Sequence, residues 1–172
     1  MCRFASFLHN PITKEVVVHD LESHGNTEKA LNLDVKIWRE GHYLPDGEVE
    51  LRLTSDDRVD KVEYLDSFKN RFPTFISFLN WSFEKVCKDG NYGGSLDLNG
   101  LTSAKGLVLP KTIGGWLDLN GLTSAKDLVL PKTIGGSLDL RGLTSAKGLV
   151  LPKTIGGWLD LRENVKKELK KI

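Results

Sequence analysis

Leucines recur in short alternating triplets through the second half of the chain. Leu96-Asp97-Leu98 and Leu107-Val108-Leu109 return as Leu117-Asp118-Leu119 and Leu128-Val129-Leu130, then as Leu138-Asp139-Leu140 and Leu149-Val150-Leu151. A period of two marks a strand with one buried face. Asn-Gly, Pro-Lys and Gly-Gly pairs lie between the triplets, so no stretch is long enough for a helix. The pattern repeats every 21 residues without insertion: 93–113, 114–134 and 135–155 are nearly identical, and 156–162 begins a fourth copy. Such a period signals stacked coils. Each coil is expected to give two strands, Leu-Asp-Leu and Leu-Val-Leu, and to stack on the next at ~4.8 Å. The expected inward set of the first coil is Leu96, Leu98, Leu101, Ala104, Leu107, Leu109 and Ile113. One coil cannot bury these side chains alone, but stacked neighbours can.

Residues 1–92 do not repeat. Residues 3–8 and 15–19 read as a hairpin turned at Asn10-Pro11, and 35–43 and 48–53 as a second, turned at Pro45-Asp46-Gly47. Residues 23–33 read as a short helix. Ser55-Asp56-Asp57 reads as a helix start leading into Val62, Leu65 and Phe68. Pro73 opens an aromatic helix through Phe75, Ile76, Phe78, Leu79, Trp81, Phe83 and Val86. At the far end Val165, Leu169 and Ile172 fall on one helical stripe, as a cap on the last coil requires. The expected fold is mainly β: an α+β N-terminal domain (1–92), a right-handed parallel β-solenoid of 21-residue coils (93–162) and a C-terminal capping helix (163–172).

The spacing L-x-L-x-x-L-x-x-A followed by I-G-G-x-L-x-L resembles short leucine-rich or receptor-L-type repeats. The resemblance covers 93–162 and implies a parallel β-solenoid; it implies no particular partner. The opening MCRFASF resembles the start of class II glutamine amidotransferases, over Met1 to Phe7. That resemblance implies Cys2 as a nucleophile, its α-amino group as the base once Met1 is removed, and Arg3 as a group for a substrate carboxylate. On the residues alone, Cys2, Phe4 and Phe7 read as ordinary members of a first strand.

Of the 172 residues, 40% are hydrophobic and 27% charged, as in a folded chain. A net charge of +1 gives no global field to hold nucleic acid or an anionic membrane. No apolar run reaches the ~20 residues that span a bilayer. No basic-then-apolar leader opens the chain, and Cys2 and Cys87 make no disulfide framework, so a cytoplasmic protein is expected. His9, His19, His24 and His42 lack metal-ligand spacing and read as surface or turn residues; no cofactor or metal is expected. Charge is divided unevenly, with −4 on residues 1–92 and +5 on 93–172.

Alternation turns Ser95, Asp97 and Asn99 outward, with Trp116, Asp118 and Asn120 on the next coil. Ser137, Asp139 and Arg141 follow, then Trp158, Asp160 and Arg162. Stacked aspartates repel unless compensated, and the lysines at 105, 126 and 147 or at 111, 132 and 153 are the expected counterions. Trp and Arg dominate binding hot spots. The expected binding residues are therefore Trp116, Asp118, Asn120, Arg141, Trp158, Asp160 and Arg162. The opposite face presents Val108, Val129 and Val150, an apolar stripe suited to a homodimer contact. The expected function is a non-enzymatic protein-binding module that grips a protein partner through the solenoid face or the domain joint. One concrete version is an inhibitor of a host defence complex, encoded by a phage or mobile element. The alternatives are a Cys2-dependent amidohydrolase or amidotransferase-like enzyme, and carbohydrate binding by exposed tryptophans.

Overall fold

The computed structural model describes residues 5–18, 31–33, 38–54, 57 and 59–171. The chain divides into two compact units, Met1–Val86 and Cys87–Ile172.

In the first unit, β1 (Ala5–His9) and β2 (Val16–Val17) form a hairpin in which Leu8 faces Val17. The Asn10 carboxamide oxygen fixes its turn by accepting the N–H groups of Ile12 and Thr13, at 2.9 and 3.1 Å. β3 (Arg39–Tyr43) and β4 (Val49–Leu51) form the second hairpin, closed at Gly47 with φ +94°. β3 also pairs antiparallel with β1, which gives the sheet order β2-β1-β3-β4. Two helices follow, α1 (Lys61–Arg71) and α2 (Phe75–Val86). The expected helix over 23–33 lies outside the described residues, apart from its last three positions.

α1 starts later than the Ser55-Asp56-Asp57 signal suggests. Asp60 is the cap, accepting the Glu63 N–H at 2.9 Å. Asp57 is held elsewhere: its carboxylate takes the Arg39 guanidinium at 2.8 and 2.9 Å and the Thr54 N–H at 2.7 Å. Ser55 and Asp56 lie outside the described residues. With this start, Tyr64 and Phe68 form the buried stripe and Val62 faces solvent. α2 opens with Thr74 and Ser77 capping each other, side chain to N–H, at 3.0 and 3.1 Å. The core between sheet and helices is aromatic. Phe7 stacks on Phe68 at 4.9 Å and meets Phe78 at 5.1 Å, and the Tyr43 hydroxyl donates to the Phe72 carbonyl at 2.9 Å.

The second unit is a parallel β-solenoid. Strands β5 (Asn91–Tyr92), β7 (Thr112–Ile113), β9 (Thr133–Ile134) and β11 (Thr154–Ile155) form one sheet. Strands β6 (Leu96–Asp97), β8 (Leu117–Asp118), β10 (Leu138–Asp139) and β12 (Leu159–Asp160) form the other. Among the repeats, each residue pairs with its equivalent 21 positions away, such as Ile113 with Ile134 and Leu117 with Leu138. β5 precedes the first full repeat, so Lys88-Asp89-Gly90-Asn91-Tyr92 already occupies the place of Leu-Pro-Lys-Thr-Ile.

The second strand of each coil is Thr-Ile, not Leu-Val-Leu. Leu107-Val108-Leu109 is entered from a tight turn in which the Leu107 N–H donates to the Ala104 carbonyl at 3.0 Å. Gly106 and Gly148 sit there at φ +80°, and Asp127 takes the same left-handed position at +62°. Pro110 follows and has no N–H to give a ladder. Leu96, Leu98, Leu101, Ala104, Leu107 and Ile113 are buried as expected; Leu109 is only half-buried, and Pro110 fills the interior beside it. α3 (Glu163–Leu169) closes part of the last coil. Its Glu168 carboxylate accepts the Ala146 N–H at 2.7 Å and the Ser145 hydroxyl at 2.9 Å, and Val165 is buried. Among the described residues, no helix is long and apolar enough to cross a membrane.

His9 departs from the surface reading. It is fully buried on β1, with its ring 5.3 Å from Tyr64 and 6.1 Å from Phe7. Burial dominates its titration and holds the imidazole down to about 4. The backbone groups of Glu40 and Arg52 and the charge of Asp57 favour the protonated ring but do not outweigh its burial. The unfolded chain therefore binds a proton on this residue first, near its ordinary 6.5. The contribution of neutral His9 is intact above pH 6.5 and is lost as pH falls toward 4. Stability should drop by about 3 kcal/mol over that window on this account. A His9→Leu variant should lose correspondingly less in chemical denaturation at the two pH values. Equal pH dependence of the two proteins would contradict the assignment.

Candidate functional site

The solenoid face that carries β6, β8, β10 and β12 is built from three outward columns. Ser95, Trp116, Ser137 and Trp158 precede the strands; the four aspartates lie within them; Asn99, Asn120, Arg141 and Arg162 follow. The strand register stacks Asp97 on Asp118, Asp118 on Asp139 and Asp139 on Asp160.

The Ser/Trp column has a local reason for its alternation. The Ser95 hydroxyl accepts the Trp116 N–H at 3.2 Å, and the Ser137 hydroxyl accepts that of Trp158 at 3.0 Å. The small serine thus ties down the backbone of the coil that bears the large ring. Trp116 lies between two serine coils and is half-buried. Trp158, on the last coil, is 81% exposed. Two coil spacings separate the indoles, roughly 10 Å.

Each aspartate of the first three coils bends its own turn. Asp97, Asp118 and Asp139 accept the N–H two residues on, at 3.3, 2.9 and 3.0 Å. The following Leu-x-Gly-Leu turn is closed by the Leu101 N–H to the Leu98 carbonyl at 3.0 Å, and equivalently at Leu122 and Leu143. These bonds offset part of the repulsion along the ladder. The remaining compensation is uneven. At Asp118, burial raises the carboxyl, the Asn120 N–H opposes it, and the charges of Asp139 and Asp97 push it up further, for a net rise. At Asp139 burial also raises the carboxyl, but the Arg141 guanidinium outweighs it and the group falls below its ordinary value. Arg141 Nε lies 2.9 and 3.1 Å from the two carboxylate oxygens. The ladder's counterion is thus Arg141, in place of the expected lysines.

Arg141 and Arg162 come together with Asn120 in a shallow concavity of about 650 Å³, whose remaining wall is Gly142, Leu161 and Glu163. Arg162 Nε donates to the Arg141 carbonyl at 2.7 Å, which fixes the second guanidinium at the foot of α3. Of the expected binding residues, Asn120, Arg141 and Arg162 therefore share one concavity. Asp118 and Asp160 belong to the ladder, and the two tryptophans stand in the outer column. The sequence reading missed Gly142, Leu161 and Glu163, since only the turn into α3 brings them alongside. The serines' bonding role was also missed: the sequence places them outward, and only the stacking of coils brings each hydroxyl to the next coil's N–H.

On the other side of the coil Val108, Val129 and Val150 stand 66, 75 and 75% exposed, one per repeat. Cys2 and Arg3 lie outside the described residues. Burial pushes the Cys87 thiol up, away from the thiolate that nucleophilic chemistry uses. His42 is paired with Glu40 at 3.0 Å; His19 and His24 lie outside the described residues. Among the described residues, no group of three or more His, Cys, Asp or Glu converges as metal ligands would.

No protein-family model, curated protein or solved structure matches this chain.

The contrast between Asp118 and Asp139 is testable. In an Arg141→Ala variant the Asp139 carboxyl should titrate above its wild-type position, as Asp118 does above the ordinary value, in carbon-detected NMR titration. An unmoved Asp139 would show that the guanidinium is not its counterion.

Proposed function

We propose that the chain is a non-enzymatic protein-binding module whose contact surface is the Trp/Asp/Arg face of the solenoid. The observation that carries the reading is Trp158, 81% exposed just before β12, with Asp160 at the end of that strand and Arg162 at the cap of α3. An exposed tryptophan with neighbouring arginines is the composition of an interface hot spot. The concavity at Asn120, Arg141 and Arg162 is shallow and polar-rimmed, which suits a protein surface better than an engulfed small molecule.

Size sets a condition on the partner. Four coils at ~4.8 Å and five residues at ~3.3 Å, three of them outward, give a face of roughly 300 Å². A standard interface covers about 800 Å² per partner. The partner's footprint therefore spreads beyond the three columns, over the concavity and onto α3. That surround is basic: residues 93–172 carry +5, and Lys167, Lys170 and Lys171 are exposed. The partner's matching surface is acidic, and its grip should weaken with salt.

The test is a tagged pull-down from cell lysate, read by mass spectrometry, with the wild type beside Trp158→Ala and Trp116→Ala/Trp158→Ala. Trp158→Ala leaves the packed interior untouched, so it separates binding from folding. A hot-spot indole costs about 2 kcal/mol or more when truncated, roughly a 30-fold loss of affinity. The expected result is a partner held by the wild type and lost by both variants. A partner held equally by all three would overturn the reading.

A further inference from the structure

The first unit carries a cleft of about 560 Å³ where β2, the residue before β3 and the ends of both helices come together. Small-molecule sites span about 300–1,000 Å³ and combine apolar walls with a few placed polar groups.

The walls follow from the local pattern. Val16 and Val18 are buried and Val17 is half-buried, so the β2 side is apolar. Trp38, one residue before β3, and Trp81 on α2 are both half-buried and line the cleft. A half-buried indole leaves part of a large planar surface uncovered, suited to stacking against another ring.

The polar groups are mainly cationic. Arg71 ends α1, and its guanidinium carbon lies 4.9 Å from the Phe72 ring centroid and 5.2 Å from that of Trp81. Aromatic rings therefore position this cation. Arg39 and Arg141 each grip an aspartate, but Arg71 has no ion pair among the described residues. A positioned guanidinium with uncommitted donors is a receptor for a carboxylate or phosphate. Lys85 lies one turn beyond Trp81 on the same face of α2 and lines the same cleft. It too has no ion pair among the described residues. The carboxylate on the wall, Glu15, accepts the Thr13 hydroxyl at 3.1 Å. Two cations against one carboxylate leave room for one further anion.

We propose that this cleft binds a small planar aromatic acid. The ring lies against the indoles of Trp38 and Trp81, and the carboxylate or phosphate is taken by Arg71 with Lys85 as the second cation. An aliphatic acid forgoes the ring contacts, and a neutral aromatic leaves both cations without a partner. The cleft belongs to the first unit, and its test is independent of the solenoid face.

The isotope-labelled full chain is titrated with β-naphthoate and with β-naphthyl phosphate, and followed at its four tryptophan indole N–H signals by NMR. The expected result is a saturable shift of the Trp38 and Trp81 signals, with those of Trp116 and Trp158 unmoved. The tighter of the two probes identifies the acid group. Neutral β-naphthamide and aliphatic cyclohexanecarboxylate should each bind at least about tenfold more weakly than that probe. Arg71→Gln should weaken the acid at least about tenfold and leave β-naphthamide unchanged. If Arg71→Gln displaces the Trp38 and Trp81 signals before any ligand is added, the exposed Lys85→Gln carries the comparison, with a smaller loss in the same direction. No saturation at millimolar acid, equal affinity for β-naphthamide or cyclohexanecarboxylate, or equal shifts at all four indoles would overturn the proposal. So would charge-neutral variants that bind the acid as the wild type does.

Discussion

Two glycines per coil set the distance at which this array can stack. At the corner between the Thr-Ile and Leu-Asp strands, the backbone of one coil lies against the backbone of the coil before it. A methyl group on Gly114, Gly135 or Gly156 would meet a carbonyl oxygen of the neighbouring corner. That approach lets the N–H groups of Gly135 and Gly136 reach the preceding coil at 2.8 Å. Once the corner is fixed, every other position follows at 21-residue intervals, and a shift by a single residue would turn each leucine from the interior to the solvent. Corner and core are therefore one constraint. The leucine ladders hold the coils together only because the corners let them meet.

The outer face inherits its order from that register and pays for it in charge. Identical repeats stack identical residues, so the aspartate that bends each turn also meets its own copies above and below. The local turn bonds and Arg141 offset the repulsion, and the third position of the face changes from Asn99 and Asn120 to Arg141 and Arg162 along the array. Charge, exposed aromatic surface and the concavity therefore accumulate toward the α3 end. The columns are uniform in backbone and graded in chemistry, and the gradient sets the α3 end of the face apart from the rest.

The solenoid was legible in the sequence because its information is repeated. Period, strand at Leu-Asp, most of the inward leucines and the closing helix all follow from local pattern, whereas the exposure of the tryptophans does not, Trp116 being half-buried and Trp158 exposed. The second strand was misplaced because Leu107-Val108-Leu109 alternates like a strand, while the turn before it and Pro110 after it deny it a ladder. In the first unit the two hairpins and α2 were visible from turn residues and aromatic spacing. The start of α1 was not, since Asp57 and Asp60 are equally good caps until Arg39 claims Asp57. His9 was misread for a related reason: burial of a polar side chain is decided by distant elements, here Tyr64 on α1, and leaves no mark on its neighbours in sequence. The concavity was half legible, through its arginines and not through the α3 turn that walls it.

The corner constraint can be isolated by one comparison. Gly93 and Gly135 have matching sequence contexts but for the preceding residue, Ile-Gly-Gly-Ser for Gly135 and Tyr-Gly-Gly-Ser for Gly93, and neither has a left-handed φ. A Cβ on Gly93 would meet nothing within 4 Å, whereas one on Gly135 would run into Gly114. Urea unfolding of Gly93→Ala and Gly135→Ala measures the corner directly. Gly135→Ala should lose about 1–3 kcal/mol, as overpacked sites do, and Gly93→Ala should stay within about 0.5 kcal/mol of the wild type. Equal stabilities of the two variants would contradict the claim that backbone contact at the glycine corner sets the stack.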